Sequence, residues 1–394
     1  MPNTKDSHAV LTNAYKQVTG QTDVASLNYA DVVTAAQAWG DSEKDHLVGV
    51  LSNAYMNEAI YTDSEYRDKY NDIFYENSDM FGAITRVIDV EIPDTIKSSA
   101  WETFVSGVST IGSHTIYLPA VHEQLFINSD TWAVPLTISG EQYRSAFSSA
   151  SGMAQFDNYL RLSAQNSVNK HRAEMNAMNR NNYLITKILL AGTQTGKKHV
   201  VNMVEEYCRD YGRQSMTVSQ YRSDNNCLLH SVKVFKKYKS LLQIPSVMFT
   251  ALTDSNGKFC LEERLVFQLL SDFEGDIISR VYSSVFHDEF VKMPLYRDCP
   301  IWQGLKETTN ILDFATLSKV IGIPSGEETA QTANNVVGFM CDKYSIMHTN
   351  IYNRVGVDPD NIRDVTYYEY QYTDKYMNNM NLNGVVFVLQ DYGT

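Results

Sequence analysis

The longest regular pattern in the chain runs from Met153 to Leu190. Met153, Phe156, Leu160, Ala164, Val168, His171, Met175, Met178, Ile185 and Leu189 follow one another at steps of three or four, with Asn182 filling the one gap. Such steps put side chains on one face of a helix, so the spacing predicts a single amphipathic α-helix. At 1.5 Å per residue it would be about 57 Å long. Ser149-Ala150-Ser151-Gly152 supplies N-cap residues before it, and Gly192 ends it in a loop through Gly196. Its other faces are rich in Asn, Ser, Arg and Lys, which suits a helix lying across a sheet better than one buried all round. A coiled coil is the alternative, but the spacing drifts from a strict heptad and no second long helix is predicted to pair with it.

Ahead of this helix the pattern is shorter and more broken. Tyr29–Ala36 and Leu47–Tyr55 read as short helices, and Glu65–Tyr70 leads into 81–93, whose late alternation reads as a strand stopped by Pro93. From Ser98 to Thr137 the chain turns to Gly, Ser, Thr and β-branched residues, with Ser109–Tyr117 giving a turn between extended segments. An isolated two-stranded excursion is marginal in water, so this arm needs something to lie against, and a neighbouring subunit is the natural candidate.

After the helix, helical patterns are expected at Val200–Tyr211 and Cys260–Leu270. Ser246–Leu252 reads as a short buried strand, followed by a turn at Thr253–Lys258. Gly326–Asn335 reads as a polar linker, and Val336–Cys341, Val365–Tyr372 and Gly384–Leu389 as strands. The fold class is therefore α+β.

Charge removes some functions from consideration. The 394 residues carry a formal net charge of -13, against the clustered Lys and Arg that an extended duplex-DNA surface requires. Cys208, Cys227, Cys260, Cys299 and Cys341 are odd in number and never form C-x-x-C, so free thiols in a reducing compartment are expected. With no secretory pattern at Met1–Ser7 and no membrane-length apolar run, a soluble, unexported chain with no membrane partner is expected. The 25 Tyr against 4 Trp, with abundant Asn and Ser, fit amphipathic subunit contacts or, equally, coding by an AT-rich genome.

Candidate chemistry is thin. Gly192-Thr193-Gln194-Thr195-Gly196-Lys197-Lys198 has only three residues between its glycines and a Lys where a phosphate loop needs Ser or Thr, so it reads as a helix-terminating loop. His287-Asp288-Glu289 lacks the second histidine of a zinc-protease helix. A Cys–His pairing would have to be brought together by the fold from Cys208, Cys341 and His348; at the end of an apolar strand, Cys341 reads as a buried thiol. Lys233, Lys236, Lys237 and Lys239, with Val234, Phe235 and Tyr238 interleaved, read as a solvated helix face or at most a weak contact with nucleic acid. No catalytic, cofactor or metal residue is assigned.

The order of these elements resembles the Hong Kong 97-type major capsid protein of tailed bacteriophages. Gly338–His348 with Asn383-Gly384-Val385-Val386-Phe387 is similar to C-terminal segments of capsid proteins from small short-tailed phages of Gram-positive bacteria. The resemblance implies an N-terminal helical arm and first peripheral strand at 1–97, and an extended β-hairpin loop at 98–148. It implies a spine helix with its terminating loop at 149–198, an axial α+β domain at 199–325, and a strand-rich tail completing the peripheral domain at 326–394. It further implies a non-enzymatic chain without cofactors that self-assembles into hexamers and pentamers of an icosahedral shell around double-stranded DNA. Scaffolding, portal and head-fibre or decoration proteins would be its further partners, the DNA contact would be weak and non-specific, and assembly would take place in the host cytoplasm. The competing readings are a portal or tail component and an intracellular Cys–His hydrolase.

Overall fold

The computed structural model describes residues 7–21, 24, 27–36, 38–40, 42–44, 46–47, 50, 75–76, 85–90, 121–127, 129–139, 150–252, 257–281, 293–303, 313–324, 329–360 and 363–393. The expected turn at 109–117, the stop at Pro93, most of the helical segment 47–55 and the 65–70 segment lie outside these residues.

In chain order the helices are α1 (Ser7–Thr19), α2 (Tyr29–Ala36), α3 (Ala150–Thr193), α4 (Met203–Tyr211), α5 (Val218–Ser223), α6 (Asn225–Leu242), α7 (Ser271–Val281) and the short α8 (Phe314–Leu317). The first strands are β1 (Tyr75–Glu76), β2 (Thr85–Val90), β3 (Val121–Phe126), β4 (Asp130–Ser139), β5 (Val200–Asn202), β6 (Leu265–Leu270) and β7 (Arg297–Cys299). β8 (Val320–Gly322), β9 (Gln331–Ala333), β10 (Val336–Asp342), β11 (Ile346–Asp360), β12 (Val365–Asn378) and β13 (Gly384–Val388) follow. The fold is α+β, as the patterning predicts.

Two sheets organise these elements. A five-stranded sheet runs β5-β13-β10-β6-β7, and every residue of β10 and β13 is buried. Apolar side chains on both faces of a strand call for cover on both faces. Phe235 of α6 supplies part of that cover, with its ring centroid 5.0 Å from both Phe267 and Phe387. The α4–α6 region is well punctuated: Asn202 caps α4, Gly212 ends it with φ 65°, Thr217 and Gln220 form a capping box on α5, and Asp224 caps α6.

The second sheet runs β1-β11-β12-β4, with β11 and β12 forming a long antiparallel hairpin. Along β4 exposed residues alternate with less exposed ones, placing Trp132, Val134, Leu136 and Ile138 on the inner face beside Tyr368, Tyr370 and Tyr372. Leu11 and Ala14 of α1, Val32, Val33 and Ala36 of α2, and Met153 and Phe156 of α3 close over that face as a second core. The N-terminal helices are thus part of a packed core and not only an arm.

α3 spans 44 residues, about 66 Å, and joins the two cores. Met153, Phe156 and Val168 enter the tyrosine-rich core, and Tyr183, Leu184 and Ile185 enter the other. The predicted stripe holds in the first half and only in part in the second, where Ile185 is buried but Met178 and Leu189 are exposed. Ala173, Ala177, Asn179, Arg180, Asn181 and Lys187 are buried instead, so the helix there is enclosed nearly all round, contrary to the sheet-surface expectation. The side chain of Leu160 lies outside the described residues.

Several expectations are corrected. Cys260–Leu270 is not helical: a 3-10 turn at Glu262–Arg264 gives way to strand β6, because Phe267, Leu269 and Leu270 are needed in the buried sheet. The 200–211 pattern splits into β5 and α4 at the Asn202 cap. Ser246–Leu252 has no ladder beyond the bridge Ser246 to Lys258. The linker 326–335 contains β9, which pairs with β8. The 98–148 loop contains β4, a full member of the second sheet. The tail does not close one sheet: β11 and β12 join the second, whereas β10 and β13 form the middle of the first.

Candidate functional site

Three places combine geometry that could serve a function: the junction of α3 with the second sheet, a groove beside it, and the loop that ends α3.

At the junction, Asp374 of β12 is fully buried. It accepts hydrogen bonds from Trp132 Nε1 at 2.8 Å and Asn350 Nδ2 at 2.6 Å, with Arg172 and His348 each 3.8 Å away. Burial alone would raise its carboxyl, but His348, Arg172 and Asn350 outweigh that and hold it below the ordinary carboxylate value. Trp132 lies between His171 of α3 at 4.1 Å and Tyr372 at 4.5 Å, and the Arg172 guanidinium stands over the Tyr372 ring. Lys375 Nζ, also buried, donates to Phe126 O at 2.6 Å and ties β12 to the end of the β2–β3 ribbon. This arrangement can position a helix on a sheet.

Next to it lies a groove of about 500 Å³. Leu125, Ile127, Met178 and Ile323 form exposed apolar lips, and Asn179, Asn182 and Asn378 supply amides. The adjoining ribbon turns Ile88, Val121 and Leu125 to solvent on one face, with Arg86 paired to Glu123 at 2.6 Å on the same face. A two-stranded ribbon with an exposed apolar face is marginal alone, and such faces mark contact surfaces.

At the end of α3, carbonyl groups are gathered from the segment 248–252. Met248 O accepts from Lys198 N at 2.8 Å, Phe249 O from Lys187 Nζ at 3.0 Å, Thr250 O from Lys197 Nζ at 2.7 Å and Ala251 O from Gln194 Nε2 at 3.1 Å. Leu252 O also accepts from Lys197. Those carbonyls are therefore spent on the helix end, which is why Ser246–Leu252 forms no strand. The Gly192–Lys198 loop is a helix terminator, with Gly196 at φ 87°, and its Lys197 binds carbonyl groups.

The remaining candidates separate. Cys341 is acted on by Asp342, Cys260 and Lys187, and burial pushes its thiol well above the ordinary value. Burial also raises Cys208. His348 faces Asp374 and stacks on Tyr376 at 5.0 Å, so its neighbours come from β12. A protonated thiol without an adjacent base is a poor nucleophile. All five cysteines are free and buried. His287-Asp288-Glu289 lies outside the described residues, and among the described residues no group of three His, Cys, Asp or Glu could hold a metal. The basic run on α6 is paired: Lys233 with Asp210 at 3.1 Å, Lys237 with Glu206 at 3.0 Å, Lys239 with Glu262 at 2.6 Å. Carboxylates already occupy these three lysines, leaving a solvated helix face as the better reading. Sequence reasoning missed the Asp374 network, for which the only signal was Asp374-Lys375 in the middle of a tyrosine-rich strand.

No family model and no curated protein matches the chain. Solved structures do overlap it. The capsid structure of Staphylococcus phage Andhra is 9% identical, with a TM-score of 0.46 over 84% of this chain and 86% of that one. The capsid of Cyanophage P-SCSP1u is 10% identical, with a TM-score of 0.47 over 84% and 91%. The mature capsid of bacteriophage PhiM1 is 8% identical, with a TM-score of 0.41 over 84% and 89%. Overlaps this partial, at identities this low, carry no residue correspondence. Among the described residues no helix is long and apolar enough to cross a membrane.

Proposed function

We propose that this chain is the major capsid protein of a tailed bacteriophage, self-assembling into the hexamers and pentamers of an icosahedral shell that encloses double-stranded DNA. The observation that carries the reading is the 44-residue helix joining an α+β lobe to a long-stranded sheet, with an apolar-faced ribbon beside it. The Hong Kong 97-type resemblance likewise implies a long spine helix between an axial and a peripheral unit, with an extended loop ahead of it.

The physical logic is of repeated contacts between two different surfaces, which close by rotation into rings. The groove and the ribbon face meet at Leu125 and form one such surface, which carries no unbalanced charge in a chain whose copies otherwise repel one another. Such a subunit works by geometry and needs no catalytic residue or cofactor. We further assign the chain to a small short-tailed phage of Gram-positive hosts and to the virion, with assembly in the host cytoplasm. Scaffolding, portal and head-fibre or decoration proteins would be its partners, and its contact with packaged DNA would be weak and non-specific.

Negative-stain microscopy of the purified chain, alone and co-expressed with neighbouring genes, tests the reading. Closed particles, or both hexameric and pentameric rings, are expected. A single fixed ring of about a dozen subunits would indicate a portal, the form of closure set by one rotation. Small monodisperse species under every condition would overturn the assembly reading.

A further inference from the structure

Lys187 places its Nζ in the interior of the α+β core, with no carboxylate partner among the described residues. Its side chain is fully buried, and its Nζ lies 3.0 Å from Phe249 O and 3.5 Å from both Met380 O and Leu382 O. Two backbone bonds cross the same spot. Gly384 N donates to Phe249 O at 3.2 Å, and Ala251 N donates to Met380 O at 3.0 Å. The lysine thus sits where the segment 248–252 is tied to the turn leading into β13.

That segment continues an exposed apolar patch. Val247 and Met248 are 38% and 41% exposed, and Ile244, Phe259 and Leu261 are exposed nearby, held by the bridge between Ser246 and Lys258. The arrangement of the patch therefore depends on the tie beneath it.

We propose that Lys187 makes opening of this tie proton-linked: the neutral amine stays buried and holds segment 248–252 against the 380–384 turn, and opening lets the side chain reach water and take up a proton. The groups that act on Lys187 are few. Burial is the main cause that pulls its ammonium down to about 7; Cys341 from β10 works to raise it and the Lys197 ammonium from the loop lowers it further. Tyr183, one turn earlier on the same helix, offers only its ring at 5.7 Å, and burial raises its hydroxyl well above the ordinary value. His199 is pulled down to about 3, by burial first and then by Lys187 and Lys197, so it stays neutral through the relevant range. Cys341 is raised out of that range by burial.

The sign follows from linkage. A buried lysine binds its proton less tightly than the same lysine in water, whose ordinary value is 10.5. Between pH of about 7 and that value the open state holds more protons than the closed one, so the closed state gains stability as pH rises. Below pH of about 7 both states are protonated, and the tie is at its weakest and insensitive to pH. Mild acid loosens the segment and alkali tightens it.

Hydrogen exchange on the intact chain, corrected for the intrinsic pH dependence of amide exchange, tests this. Protection of amides in 248–252 and 380–384 is expected to rise by about tenfold for each pH unit above neutrality, the response of a single linked proton. The slope should be flat below neutrality. Lys187→Met should remove the slope in these two segments. A flat wild-type profile above neutrality would overturn the proposal, and so would a slope that survives in Lys187→Met. Should Lys187→Met fail to fold, Lys187→Arg decides: a guanidinium cannot give up its proton in this interval, so the slope must vanish, and a slope that survives overturns the proposal. None of this depends on whether the chain builds shells, so it stands or falls apart from the capsid reading.

Discussion

The two halves of α3 solve the same problem with different chemistry. From Met153 to Val168 the helix meets the tyrosine-rich sheet with apolar side chains at helical spacing, and its burial follows the hydrophobic period. From Asn179 to Lys187 it is enclosed almost all round, and more than half of what it buries is polar: Asn179, Arg180, Asn181 and Lys187 stand with Tyr183, Leu184 and Ile185. Those polar groups are matched by main-chain carbonyls of other segments. Asn179 Nδ2 donates to Met347 O, Arg180 to Trp302 O, and Lys187 to Phe249 O. One half is held by area removed from water, the other by directed bonds in a low-dielectric interior, where a missing partner is expensive.

Arg180→Ala should have the largest effect. It removes a fully buried guanidinium that lies over the Trp302 ring at 5.0 Å and leaves Trp302 O short of a donor. A loss on the order of 3–5 kcal/mol is expected in denaturant unfolding of the unassembled chain. A loss under about 1 kcal/mol would mean that the polar half is packed no more tightly than a surface. Met153→Ala in the apolar half should cost about 2–5 kcal/mol by the same measurement, with the cavity left behind setting where in that range it falls.

Acid should separate the halves further. Asp374 is held below the ordinary carboxylate value, so its contribution is present above the unfolded value and lost as pH falls through the folded one. Asp374→Asn should lower stability at neutral pH and flatten the acid limb of the stability profile; an unchanged acid limb would assign that limb to other carboxylates. Leu189→Ser should do least. The residue is 41% exposed despite its place in the predicted stripe, and a change within about 0.5 kcal/mol is expected by thermal unfolding. A core-sized loss would restore the stripe.

The same contrast explains what the sequence made legible. Met153, Phe156 and Val168 announced the long helix because apolar burial repeats with the helical period. Val336–Cys341 and Gly384–Leu389 announced strands because burial on both faces leaves an unbroken apolar run. Arg180 and Lys187 read as solvent-facing because their partners are carbonyls, which every residue carries and no pattern marks. Ser246–Leu252 read as a strand because its side chains are those of one, while its carbonyls had been claimed by residues some fifty positions earlier. β11 carries no single period to read, since its 15 residues are buried at one end and largely exposed at the other. The Asp374 network needed α3, β4, β11 and β12 to meet before any member could be recognised.

The order of strands in the five-stranded sheet also sets a timetable for synthesis. β5 and β6 emerge from the ribosome early, yet they are not neighbours; β13 and β10 lie between them. A nascent chain lacking residues 336–342 and 384–388 can pair β6 with β7, but β5 has no neighbour and Phe235 of α6 has no β13 beneath it. The lobe therefore closes in one late event once β13 has been delivered, and a chain cut short before that point never presents the finished surface to another copy.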